Sequence, residues 1–285
     1  MRDFNRLGAT VASATLIGAA LLVSSTAIAA PSLEITHAVA QVTIIPENRP
    51  DVTAMVLRSN AKFPLTVTRV GDRVIIEGGL GWRGANCNSI FGHRRIGVIG
   101  IGSVAYEDLP QVVVRTPRQV QVKAGGAVFG TIGRGDGVEL ANSGCGDWTV
   151  ANQTGPLQAS LAGSGDLHAG DAGTTDLHVA GSSDVFLRAA HGGLTATIAG
   201  SGAVNADEVD GPLRAHVTGS GDVKVRAGTV SDMQVAVAGS GDIRFGGVAQ
   251  SLEANIAGSG DVSVAKVTGP VVKHIAGSGD VTVGQ

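Results

Sequence analysis

From Gly144 to its end, the chain repeats one phrase, Gly-Ser-Gly-Asp followed by an apolar residue, at an almost constant interval. Copies start at Gly144 (as Gly-Cys-Gly-Asp), Gly163, Gly181, Gly200, Gly219, Gly239, Gly258 and Gly277, with gaps of 19, 18, 19, 19, 20, 19 and 19 residues. A fixed period in this range is the signature of one small unit stacked on itself. No single unit can bury its own apolar face, so its neighbours must cover it.

Alignment on the first Gly separates the columns. Two residues before it stand Leu161, Val179, Ile198, Val217, Val237, Ile256 and Ile275; four before stand Ala159, Leu177, Ala196, Ala215, Val235, Ala254 and Lys273. The residues between are polar or small. After the phrase, Leu167, Val185, Val204, Val223, Ile243, Val262 and Val281 head a second alternating run. Alternation with period two is a strand with one buried face. Each unit therefore reads as strand, tight Gly-rich corner, strand, looser corner. Glycine accepts positive φ at such a corner, and Ser and Asp can bond nearby backbone N–H groups there.

Two architectures compete. A hairpin reading pairs the two strands of one unit with each other. A parallel β-helix pairs each strand with its copy one unit away, about 4.8 Å along the axis. The second explains both the constant unit length and the uniform residue type in each column. The expected fold class is all-β: a parallel β-helix of about 19-residue coils with Gly-Ser-Gly-Asp turns.

Three regions follow. Residues 1–29 read as a signal peptide: Arg2 and Arg6, an apolar run through Leu16 and Val23, and Ala27-Ile28-Ala29 as the cleavage site. Residues 30–117 read as an irregular β-rich part of the same body, with strands at Val39–Ile45, Val52–Arg58, Leu65–Val70, Arg73–Glu77 and Gln111–Arg115. A glycine-rich stretch from Gly78 to Gly102 reads as a loop. Residues 118–285 read as the regular coils, and the segment from Val122 to Val128 as a degenerate unit. No segment after the leader is apolar enough to span a membrane as a helix, and the expected location is the periplasm or the cell surface beyond it.

Composition removes several function classes. Without the leader's Arg2, Asp3 and Arg6, 19 basic and 23 acidic side chains remain, a formal charge of −4. That balance does not suit nucleic acid. Aromatics make up 3% of residues, too few for the stacking platforms expected of single-strand binders and of many sugar-binding clefts. Cys87 and Cys145 are expected to form a disulfide in an oxidising compartment.

Candidate chemistry is sparse. The column Asp147, Asp166, Asp184, Asp222, Asp242, Asp261, Asp280 could in principle line up oxygen ligands for Ca²⁺, but Ca²⁺-binding nonapeptide repeats place an acidic turn every nine residues. Here the turn recurs only every 19, and the expected role of these Asp residues is structural, capping the turn. A catalytic triad is needed once, whereas this Ser and Asp recur in almost every unit. His178, His216 and His274 share a column but lie two or three coils apart, too far to share a metal ion. Arg134-Gly135-Asp136 spells an integrin-type tripeptide that composition alone accounts for. No catalytic residue, cofactor or metal is expected. The least repetitive segment, with Trp82, His93, Arg94 and Arg95, is the place to look for a specific contact. At the C-terminal end no capping helix follows the last phrase, so self-association through an uncapped coil is an expectation.

The leader, the irregular first half and the serial Gly-Ser-Gly-Asp-Val turns resemble the head GIN domain of auto-transporter adhesins, over roughly Leu33 to Gln285. The resemblance implies a parallel β-helix shaped like pectin lyases without their catalytic residues, and an adhesive role. Gly181-Ser182-Ser183-Asp184 and Ala203 depart from the phrase, and no family site residue transfers to this chain. The function expected is a non-enzymatic exported envelope or surface protein, an adhesin or scaffold whose partner is a surface glycan or protein. The alternative is a polysaccharide-acting enzyme or glycan-binding module on the same scaffold.

Overall fold

Every strand of the repeat pairs, in parallel, with its copy one coil away. The computed structural model describes residues 31–81, 85–90 and 93–284, so the signal peptide expected at 1–29 and Trp82 lie outside the described residues. In register, Val138 lies opposite Leu157, Leu157 opposite Thr175, Thr175 opposite Leu194 and Leu194 opposite Leu213. The series continues through Met233, Leu252 and Val271. The strands after the corner stack the same way, with Trp148 over Leu167, Val185, Val204 and Val223. The fold is a parallel β-helix, and the hairpin reading is excluded.

The alternation decides what is buried. Leu213, Ala215 and Val217 point inward, are at most 2% exposed, and alternate with Arg214, His216 and Thr218 on the outside. One continuous apolar core runs the length of the stack. Burying one such Leu or Val contributes about 1.5–3 kcal/mol. Small and large residues complement each other between coils: Trp148 is fully buried, and its indole occupies the space that a Cβ on Gly130 would need.

The first half of the chain builds the N-terminal end of the same stack in an order the repeat does not announce. Strands β1 (Ser32–Glu47), β2 (Thr53–Arg58), β3 (Leu65–Val70), β4 (Arg73–Gly78), β5 (Ala85–Ile90), β6 (His93–Val98), β7 (Gly102–Ala105), β8 (Gln111–Pro117) and β9 (Gln119–Ile132) precede the regular coils. β9 is the degenerate unit, pairing with Gly137–Gly144. β1 is a full coil lying directly against β9. On its other side, β4 and β8 together form the next, divided coil. β2 and β3 then run antiparallel to β8 and β4 at the end of the stack.

The glycine-rich stretch expected to be a loop is a correction. Between the two halves of the divided coil, β5, β6 and β7 form a separate antiparallel three-stranded sheet. Ile96, Val98 and Val104 face a second small core with Val39, Phe63, Leu80, Leu109, Ala127 and Phe129. Tyr106 meets Phe129 edge to face, with ring centroids 5.0 Å apart. This explains why Ala38, Val39 and Ala40 are all buried: one side faces the β-helix core and the other lies under the inserted sheet. Cys87 on β5 is bonded to Cys145 in the first corner of the regular coils, across 58 residues. On the chain-entropy model such a link contributes about 4 kcal/mol. No helix among the described residues is long and apolar enough to cross a membrane, a statement about helices only.

The corner leaves no space for a side chain. Gly219 has φ +119°, and a Cβ there would lie 2.5 Å from the carbonyl oxygen of Gly200 one coil below. Gly219→Ala is therefore expected to destabilise the protein by about 2 kcal/mol or more, read as a lower urea midpoint. An unchanged midpoint would show that the corners can part without cost.

Candidate functional site

The Asp column lies along one corner of the stack, and its carboxylates are engaged by the backbone. Oδ1 of Asp147 accepts the N–H of Asp166 at 3.1 Å, and Oδ1 of Asp166 accepts that of Asp184 at 3.0 Å. Asp184 accepts from Ala203 at 2.9 Å, Asp222 from Asp242 at 2.8 Å, Asp242 from Asp261 at 3.0 Å and Asp261 from Asp280 at 2.9 Å. The return bond is main chain: Leu167 N–H donates to the Asp184 carbonyl and Val262 N–H to that of Asp280, both at 2.9 Å. Each of these six Asp residues thus caps the corner of the neighbouring coil rather than its own, while Asp280 accepts from the Thr282 hydroxyl of its own coil. Among the described residues no group of three or more His, Cys, Asp or Glu is placed to hold a metal ion.

A row of like charges at strand spacing has an electrostatic cost. Burial, reinforced by the charges of Asp147 and Asp184, pushes the Asp166 carboxyl above its ordinary value of 3.8, although the bond from Asp184 N–H works the other way. At Ala203 the ladder is interrupted, because alanine offers no oxygen to Asp222 in the next coil.

The His column is as the spacing predicts. His178 lies opposite Thr197, which lies opposite His216, and Ala236 and Asn255 separate His216 from His274. His168 does something else: its ring stacks on Phe186 in the next coil, with centroids 4.8 Å apart. Asp136 of the Arg-Gly-Asp tripeptide is held by Arg118 at 2.8 Å and by Thr154. That hydrogen bond and charge keep the Asp136 carboxyl below its usual 3.8.

The expected contact segment is strand, not loop. His93 and Arg94 lie on β6 opposite Ile90 and Ser89. Arg95 is exposed and donates to the Ser103 hydroxyl at 3.0 Å. At the opposite end of the stack, Val271 and Ile275 are 39% and 43% exposed. Lys273 occupies their inward-facing row, and its ammonium donates to the Val281 carbonyl at 2.5 Å.

One feature escaped the sequence reading. Where the inserted sheet meets the coils there is a groove of about 620 Å³, lined among others by Thr36, His37, Leu80, Lys123, Ser143 and Ser160. Its rim carries the one non-glycine residue with positive φ among the described residues, His37 at +49°. His37 is the extra residue of β1, sitting where the register against β9 slips between Ile35 and Ala38. Its Nδ1 lies 3.1 Å from Oε1 of Glu77, and the Thr36 hydroxyl donates to the other oxygen of that carboxylate. The Thr36 bond first, and then the His37 ring, hold the Glu77 carboxyl below its ordinary 4.5. The signal was present in the sequence as a phase slip: Leu33 and Ile35 alternate in one phase, Ala38, Ala40 and Val42 in the other.

Residues 174–285 match the model of the family described as "putative auto-transporter adhesin, head GIN domain". No curated protein matches the chain. Among solved structures, the chain is similar to one described as "a putative cell adhesion protein from Clostridium sporogenes ATCC 15579", at 9% identity and a TM-score of 0.21, over 89% of this chain and 92% of that one.

Two outcomes follow from the Asp ladder. Ala203→Asn supplies the missing oxygen without another negative charge, and is expected to stabilise the protein by about 1 kcal/mol, seen as a raised melting temperature. Asp166 holds its proton more tightly in the folded chain than in the unfolded one, so stability falls as pH rises from 3.8 through the raised value. Asp166→Asn keeps the acceptor and loses the charge; its melting temperature is expected to be flatter across that window and higher at neutral pH.

Proposed function

We propose that this chain is a non-enzymatic exported protein of the cell envelope or surface, acting as an adhesin or scaffold through the repetitive outer face of its β-helix. The observation that carries this reading is the sameness of that face. The outward position before each corner is Ala162, Ala180, Ala199, Thr218, Ala238, Ala257 and Ala276, all exposed and one coil apart. Such a surface offers a long partner the same contact many times, which raises avidity without any one strong site. The disulfide between Cys87 and Cys145 suits an oxidising location outside the cytoplasm. The match of residues 174–285 to an adhesin family points the same way.

The enzymatic alternative is less well supported. Glycoside cleavage needs a pair of carboxyl groups free to meet substrate. The most regular carboxylates of this chain, those of Asp147, Asp166, Asp184, Asp222, Asp242 and Asp261, accept backbone N–H groups of the next coil.

Treatment of intact native cells with protease is expected to remove the protein while a periplasmic marker survives, and a deletion strain is expected to attach less well to its surfaces. Retention behind an intact outer membrane would end the adhesive reading. Turnover of a polysaccharide that one point substitution abolishes would favour the enzyme.

A further inference from the structure

The geometry points to the groove beside His37 as a binding site for a sugar acid, a saccharide unit carrying one carboxylate. This goes beyond the adhesive reading, since it concerns a single site at the join of inserted sheet and coils rather than the repeated face.

Size and floor come first. At about 620 Å³ the groove falls in the range of ligand sites, roughly 300–1,000 Å³. Lys123, Ala141 and Ser160 occupy one outward column in three successive coils. Lys123 and Ser160 are therefore about 9–10 Å apart along the axis at strand spacing, with only a methyl group between them. That depression is as long as a sugar ring with its substituents. Leu80, from the segment leading into the inserted sheet, walls the groove.

Charge comes next. Glu34 is the cross-strand neighbour of Lys123, but it is paired with Arg73 at 2.8 Å. Lys123 makes no ion pair among the described residues. One uncommitted ammonium in a groove suits one carboxylate. A dianionic phosphate is met elsewhere by bidentate arginines or by several backbone N–H groups. The hydroxyl of Ser160 and the His37 imidazole suit the hydroxyls of a sugar, and the Ser143 hydroxyl one coil below, which donates to the Ala124 carbonyl at 3.3 Å, can still accept from one.

His37 supplies the third argument. A non-glycine residue in the left-handed region costs on the order of 1 kcal/mol or more, and such residues cluster at ligand sites. The His37 side chain is exposed, Glu77 takes its Nδ1 at 3.1 Å, and Nε2 has no hydrogen-bond partner among the described residues. A glycine would fit this backbone with less strain. The residue that is worse for folding provides the polar group at the groove.

The test uses the purified mature protein with digalacturonic acid, its neutral galactose disaccharide counterpart, acetate and inorganic phosphate, followed by ligand-observed NMR and calorimetry. Digalacturonic acid is expected to bind, with the neutral disaccharide, acetate and phosphate each at least about tenfold weaker, a factor readily resolved by either method. Lys123→Ala is expected to weaken binding by about tenfold or more, the scale of losing one charge-assisted contact. His37→Gly is expected to weaken binding while the melting temperature stays level or rises. The proposal is overturned if the acid does not bind, if the neutral sugar, acetate or phosphate binds equally well, or if Lys123→Ala binds like the parent. A fall in both binding and melting temperature in His37→Gly would also overturn it, by showing that His37 is a structural residue only.

Discussion

The structure rests on strict register between consecutive coils. Every apolar column, the Asp ladder and the glycine corners need each coil to sit directly over the last. The corners enforce this most severely. Gly181 meets the carbonyl of Gly163, and Gly219 that of Gly200, at distances where a Cβ would be 2.5 Å from oxygen. A coil one residue longer must therefore absorb the excess elsewhere. The chain does so at its looser corners: the 20-residue step between Leu213 and Met233 is taken up by a register shift between Gly211 and Leu213. Since a one-residue slip in a strand would turn its apolar set outward, the tight corners and the buried columns protect each other.

The acidic column can be understood in the same terms. A corner interrupts the main-chain ladder and leaves an N–H in each coil in need of an acceptor. The Asp side chain of the coil below supplies it, in step after step of the stack. The arrangement places carboxylates at strand spacing, and burial, with the charges of Asp147 and Asp184 adding to it, raises the Asp166 carboxyl. The residues that look most like a metal site or a catalytic array are thus committed to holding the stack together.

The N-terminal end solves a different problem. A β-helix that simply stopped would present an open row of backbone groups. Here β2 and β3 close that end by running antiparallel to β8 and β4, and a three-stranded sheet covers one corner of the first coils, tied down by Cys87 and Cys145. Val39, Ala127 and Phe129 are buried only because this sheet lies over them. The join creates an irregular concave surface beside the uniform coils, and the strained His37 lies on its rim.

How much of this was legible depends on the range of the interactions. The coils could be read from sequence because their pairing is local in pattern: Leu194, Leu213 and Leu252 are copies of one position, and identical copies at fixed spacing have one way to bury their faces. The disulfide was legible too, as two cysteines in a chain that reads as exported. The place of β1 against β9, the division of the next coil between β4 and β8, and the sheet formed by β5, β6 and β7 were not, because they depend on contacts between segments with no repeated pattern. Glycine density around Gly97 hid the alternation of Ile96 and Val98. The periodic sequence by itself determined the coil, its core and its corner, since one unit's geometry dictates the next. The tertiary structure alone decided how strands β1 to β8 fold back on that stack, and so where Thr36, His37 and Lys123 come together, because only packing between unlike segments sets that meeting.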